Sequence, residues 1–360
     1  RDRLRSRGLG DVYKRQVLGL VGTEFMLRLM DTPEDTIAGS ALYLRIMFVG
    51  MVPNMVYNVG SAILRAMGDS KRPLYFLIVA CLSNVVLDLV FVLVFKMGIA
   101  GVAIASILAQ AISAVMVVMS LSAESMEYRF RFRQMRFEGD ILSRTIRIGL
   151  PAGFQSIMYS LSNMLIQASV NRFGTDTVAS WVVLGKVDGI NWMILGALGI
   201  ASMTFVGQNY GAGRLDRIQK SLKLSLLIGV CISIVFGGAL LLFGWPLFGL
   251  FTSDDTVLAM SMQLLWYFAP FYWMFVPIEI ISGALRGMGD TLIPTIITAT
   301  GICVFRVAWI YTVVPLHNSM FTVSLSYPIS WVLTAIAFAI YYMIARKKLI
   351  ANAPKPRTAE

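Results

Sequence analysis

Nine stretches of this chain are each apolar over twenty or more residues, and that pattern restricts the fold more than any motif does. They run at 43–65, 73–95, 99–121, 147–171, 177–205, 220–244, 258–285, 294–315 and 320–345, with a shortened stretch at 17–30. A membrane-spanning helix needs about 20 predominantly apolar residues, whereas buried strands are shorter and bounded by turn signals. The pattern predicts an all-α polytopic membrane protein. Composition agrees, with 57% hydrophobic and 14% charged residues, against roughly 45–50% and 25% in soluble domains.

The basic residues orient these spans. If the loops after 65, 121, 205 and 285 share one side with the C-terminal tail, that side holds 19 Lys and Arg; the other holds only Arg28, Lys96 and Arg172. Positive residues collect on the cytoplasmic side, so the C-terminus is expected there. The formal net charge of +11 then reflects topology, and no nucleic-acid partner is implied. RFRFRQMR at 129–136 reads as part of a basic linker lying at lipid headgroups. Residues 1–16 carry six basic and two acidic side chains and run abruptly into the 17–30 stretch. They read either as a cytoplasmic lead-in or as a non-native head on a truncated chain, and the second reading is preferred.

One His and three Cys, Cys81, Cys231 and Cys303, all in apolar runs, leave no zinc-binding HExxH, no Ser-His-Asp triad and no disulfide framework. No phosphate-binding loop signature is present. Paired Asp motifs, a nucleophile with its base, and metal-binding His are equally missing, so a membrane enzyme is disfavoured. No cofactor is expected.

The chain repeats itself. SAILRAMGDSKRP at 61–73 recurs as SGALRGMGDTLIP at 282–294, matching at seven of 13 positions with an offset of 221 residues. Each copy reads as a helix ending on Arg, a Gly-Asp turn, and a Pro opening the next helix. Six spans separate the copies, so both turns fall on one face, which is the parallel duplication of six-helix units used by many transporters. Four spans beginning near 147 precede the second copy. The same offset carries the start of the first unit to a position before residue 1, so two six-helix lobes are expected, the first lacking its first two helices and part of the third. The divisions are a partial first lobe at 17–122, a basic linker at 123–146, a second lobe at 147–345 and a tail at 346–360.

Several segments together resemble the multidrug and toxic compound extrusion (MATE) family of cation-coupled efflux antiporters. They are YLRI (43–46), SAILRAMGDSKRP, MGIAGVAIAS (97–106), GLPAGFQ (149–155), VGQNYGAGR (206–214) and SGALRGMGD (282–290). The likeness covers about 17–345. It implies two lobes around a V-shaped cavity, a bacterial inner-membrane location, no use of ATP, and export of amphiphilic, often cationic compounds by a monomer in exchange for Na⁺ or H⁺. A related lipid-linked precursor flippase is the nearest alternative; its cavity would be lined by several basic residues to meet phosphates.

An ionisable group inside a membrane is a functional candidate by default. Asn84 and Asp88 are four residues apart and share one helix face, so they can hold Na⁺ between a carboxylate and an amide carbonyl, or a proton on the carboxylate. The resemblance places a cation site on this pair and a further hydroxyl on Ser106. In the second lobe the candidates for coupling or substrate contact are Lys186, Asp188, Glu279 and Arg306, with Gln155 and Tyr159 on the helix where some relatives carry a cation-binding Glu. Lys186 and Asp188 are two apart and need partners from other helices; Glu279 and Arg306 sit at similar depth and are a candidate pair. The aromatic run Trp266–Phe275 ahead of Glu279 suits either an organic cation or, near 266–268, an interfacial belt. Arg65/Asp69 and Arg286/Asp290 read as turn and gating residues.

Overall fold

The computed structural model describes residues 22–24, 27, 34–123, 130–131 and 138–351. The predicted lead-in at 1–16, most of the 17–30 stretch, most of the basic run at 129–136 and the tail beyond 351 lie outside the described residues. Contacts divide the chain into two compact units, 1–136 and 137–360.

In the first unit α1 (Glu34–Ala66), α2 (Lys71–Leu89) and α3 (Gly98–Ser122) follow one another, with α2 continued by a π turn over Val90–Val94. Both α1 and α2 pack on α3. Small residues on α3 set that contact: Ala103, Ala105 and Ala109 are buried, and a Cβ added to Gly50 or Gly60 of α1 would collide with Ile107 or Val117. The outward faces stay apolar, with Leu74, Leu77, Val85, Val86 and Leu89 of α2 all exposed, as expected of side chains solvated by lipid.

The second unit contains α4 (Gly139–Val170), α5 (Thr175–Gly211), α6 (Leu215–Phe248), α7 (Asp255–Phe268), α8 (Val276–Gly287), α9 (Leu292–Thr298), α10 (Phe305–Thr312) and α11 (Met320–Ala351). Two of its predicted spans are not continuous α-helix. A six-residue 3₁₀ segment, Ala269–Met274, separates α7 from α8, because Pro270 and Pro277 cannot donate to the carbonyls four residues back. A π turn over Ala299–Val304 joins α9 to α10. Counting joined rods, all nine predicted spans are helical. Eight of them, among the described residues, are long and apolar enough to cross a membrane. The exception is α4, which is long enough at 32 residues but is made less apolar by Gln155, Ser156, Tyr159, Ser160, Ser162, Asn163 and Gln167.

The repeated turns adopt the same backbone. Gly68 has φ 91° and Gly289 φ 90°, a region L-residues avoid. In each, the Asp amide reaches back to the helix: Asp69 N donates to Leu64 O and Asp290 N to Leu285 O, at 2.9 and 3.0 Å. This is the Schellman closure that ends a helix on glycine, and VGQNYGAG ends α5 in the same way at Gly213. The side chains then differ. Asp69 accepts from the amides of Lys71 and Arg72, both at 3.1 Å, whereas Asp290 accepts from the Tyr341 hydroxyl of α11.

Candidate functional site: an aromatic cavity with two carboxylates

A cavity of about 500 Å³ lies within the second unit. On α4 its wall is Tyr159, Asn163 and Gln167, a polar stripe at four-residue spacing and therefore on one helix face. On α5 it is Trp181, Leu184, Gly185, Asp188 and Trp192, which share one face in the same way. Phe268, Phe275 and Glu279 come from either side of the 3₁₀ break, and Arg306, Tyr327 and Trp331 from α10 and α11.

The rings hold one another. Trp192 meets Phe275 at 4.8 Å between centroids with planes 81° apart, and Phe268 meets Tyr327 at 5.1 Å and 84°. Trp331, with no exposed surface, touches Trp192, Phe275 and Tyr327. Edge-to-face packing of this kind contributes about 0.5–1.5 kcal/mol per pair beyond area burial, so the wall is stiff and its π faces are preset.

Two carboxylates enter this wall. Asp188 is 8% exposed and accepts a hydrogen bond from the hydroxyl of Tyr272, which stands on the 3₁₀ segment and is fully buried. The helix break thus serves a specific contact, since it aims Tyr272 at α5. Glu279 lies in the first turn of α8. It fits because α5 presents a glycine opposite: a Cβ on Gly199 would sit 2.8 Å from Glu279 Oε2. Below it α5 and α8 touch backbone to backbone. A Cβ on Gly283 would overlap the carbonyl of Gly199, and one on Gly287 the carbonyl of Met203. Ser202 Oγ adds a hydrogen bond of 3.1 Å to Ile280 O.

The expected Glu279–Arg306 ion pair does not form. Both side chains line the cavity, but Arg306 Nε donates to Ser330 Oγ at 2.9 Å and its guanidinium lies 3.8 Å from the centre of the Tyr327 ring. Ring stacking and the hydroxyl take the place of a carboxylate. Lys186 is outside the cavity. It is exposed, with its ammonium 5.9 Å from the Phe251 ring, because two residues along a helix is about 200° of rotation. Gln155 does not line the cavity either; its Oε1 accepts from Arg286 Nη2 at 2.8 Å and from Thr295 Oγ1 at 3.4 Å, tying α4 to α8 and α9. The aromatic run divides. Trp266 is 58% exposed and fits a belt, but Phe268, Tyr272 and Phe275 are buried in or behind the cavity wall. The 155–159–163–167 spacing was the available signal for Asn163 and Gln167, which sequence reasoning missed.

In the first unit Asn84 and Asp88 lie half-buried on one face of α2. Asn84 Nδ2 and Asp88 Oδ1 are both buried with no hydrogen-bond partner among the described residues. Ser106 is half-buried on α3, the helix against which α2 packs. Among the described residues no group of His, Cys, Asp and Glu has the makings of a transition-metal site.

The MatE family model matches residues 16–90 and 151–312. The probable multidrug resistance protein YoeA of Bacillus subtilis is 29% identical over 349 residues, covering 92% of this chain and 73% of that protein. YpnP of the same organism, also described as a probable multidrug resistance protein, is 29% identical over 334 residues, covering 92% of this chain and 74% of its own length. Among solved structures, a MOP superfamily transporter from Pyrococcus furiosus aligns with a TM-score of 0.88 at 18% identity, covering 94% of this chain and 76% of that one.

Proposed function

The chain belongs to the MatE family of multi-pass membrane transporters, and on that premise we propose that it is a secondary antiporter. It exports amphiphilic and cationic small molecules, drugs among them, in exchange for Na⁺ or H⁺, by alternating access in the bacterial plasma membrane with its C-terminus in the cytoplasm. The observation that carries this reading is the cavity of the second unit, where aromatic faces stand beside Asp188 and Glu279. Aromatic rings attract cations through their quadrupole, more strongly where water is excluded, and the carboxylates supply the opposite charge. A phosphate-bearing lipid substrate fits less well, because Arg306 is the one basic side chain lining the cavity among the described residues.

Coupling falls to Asn84 and Asp88. Two buried polar atoms without partners on one helix face are costly, and a bound cation or proton removes that cost at the carboxylate. The test is efflux of a fluorescent monocationic dye from proteoliposomes holding the full-length protein under an imposed Na⁺ or H⁺ gradient. Gradient-driven efflux in the parent protein and its loss in Glu279→Gln are expected. Efflux that ignores both gradients would refute antiport.

A further inference from the structure

The 221-residue repeat has a register fault beside the cavity. Up to the Gly-Asp turns the two copies align without a gap. The second copy then makes a π turn at Ala299–Val304, which absorbs one more residue than an α turn. Beyond it the offset becomes 222, so Arg306 occupies the place of Asn84 and Ile310 the place of Asp88. The first copy makes its own π turn later, at Val90–Val94, and the helices that follow begin at Gly98 and Met320. Glu279, which precedes the fault, corresponds to Asn58 at the offset of 221. The Arg306 guanidinium stacks on Tyr327 of the helix that follows.

We infer that Arg306 is a tethered cation standing where the first unit has its amide for an exchangeable one, and that it sets the charge selectivity of the second unit's cavity. This rests on the export reading above. Arg306 is 4% exposed, and among the described residues no carboxylate lies within ion-pair distance of it. Its charge is consequently not cancelled by a contact and acts across the cavity. With Asp188 and Glu279 ionised, the lining carries two negative charges and one fixed positive charge. It is matched to a ligand bearing a single positive charge, and a second one would face Arg306. The first unit has the converse arrangement: a carboxylate at 88, amides at 58 and 84, and no cation among these positions.

The test is equilibrium binding of tetraphenylphosphonium, a monocation, and methyl viologen, a dication, to the full-length protein in lipid nanodiscs. The parent protein should bind the monocation more tightly. Arg306→Gln should raise dication affinity relative to monocation affinity by at least about tenfold, as expected for one charge acting over roughly 8–10 Å through an effective dielectric near 20. Arg306→Lys should keep the parent ranking, because it keeps the charge while losing much of the stacking. A purely structural role would weaken both probes together in both variants. An unchanged ranking in Arg306→Gln would overturn the inference while leaving cation export intact. A parent protein that prefers the dication would overturn it without any variant, so a failure of Arg306→Gln to fold does not protect it. Binding of neither probe to the parent protein would overturn the export reading and this inference with it.

Discussion

Two glycine substitutions on facing helices should separate ligand binding from stability. In Gly199→Ala the new methyl would lie 2.8 Å from Glu279 Oε2 and 3.3 Å from Glu279 O. The first contact is too short to survive, but the carboxylate ends a flexible side chain and can swing away; the second needs only a few tenths of an ångström. In Gly283→Ala the methyl overlaps the carbonyl oxygen of Gly199, which belongs to a helix backbone and cannot swing. The first change therefore displaces a charge, and the second forces α5 from α8. For a bound monocation, withdrawing a carboxylate from about 4 Å to about 5 Å at an effective dielectric near 20 changes the attraction from ~4 to ~3.3 kcal/mol. That is roughly a fourfold loss of affinity. Overpacking against backbone costs about 1–3 kcal/mol. Tetraphenylphosphonium titration and thermal unfolding, both in the same nanodiscs, read the two effects. Gly199→Ala should bind about fourfold more weakly with nearly parental stability, and Gly283→Ala should unfold earlier. Equal destabilisation by the two, or unchanged affinity in Gly199→Ala, would refute the placement of Glu279 against α5.

Other outcomes follow from the same geometry. Tyr272→Phe leaves the buried Asp188 without its donor and should cost about 1–3 kcal/mol; a thermal-unfolding double-mutant cycle with Asp188→Asn should recover part of it, and strict additivity would contradict the hydrogen bond. Gly289→Ala forces a side chain into φ 90° and should destabilise by about 1–2 kcal/mol, matched by Gly68→Ala; a neutral result in chemical unfolding would mean that the turns are not closed as described. Asp88→Asn should abolish gradient-driven efflux while tetraphenylphosphonium binding persists, since Asp88 does not line the second unit's cavity; efflux at parental rates would remove Asp88 from coupling.

The helices were legible because length and apolarity suffice to write a span, and the Gly-Asp turns because glycine at a fixed offset marks a left-handed residue. The breaks were less so. Pro270 and Pro277 announce an interruption but not that it turns Tyr272 towards Asp188, which depends on where α5 packs. Nothing in ATGICV distinguishes a π turn from an α turn, so the register shift that brings Arg306 to its place was invisible. Periodicity showed that Lys186 and Asp188 face apart; deciding which of them faces the cavity required the neighbours. Glu279 and Arg306 were matched by depth alone, and depth says nothing about the Tyr327 ring lying nearer.

The glycine seam between α5 and α8 also bears on motion. Side chains that interleave can slide and repack, but backbones in direct contact have no compressible layer between them. Asp188 rides on one of these helices and Glu279 on the other, so the seam acts as a caliper set to one opening. A transport cycle that reshapes this cavity has to move α4, α7, α10 or α11, which carry the rest of its wall, past the calipered pair. The wall of rings and amides then changes around two charges whose separation stays constant.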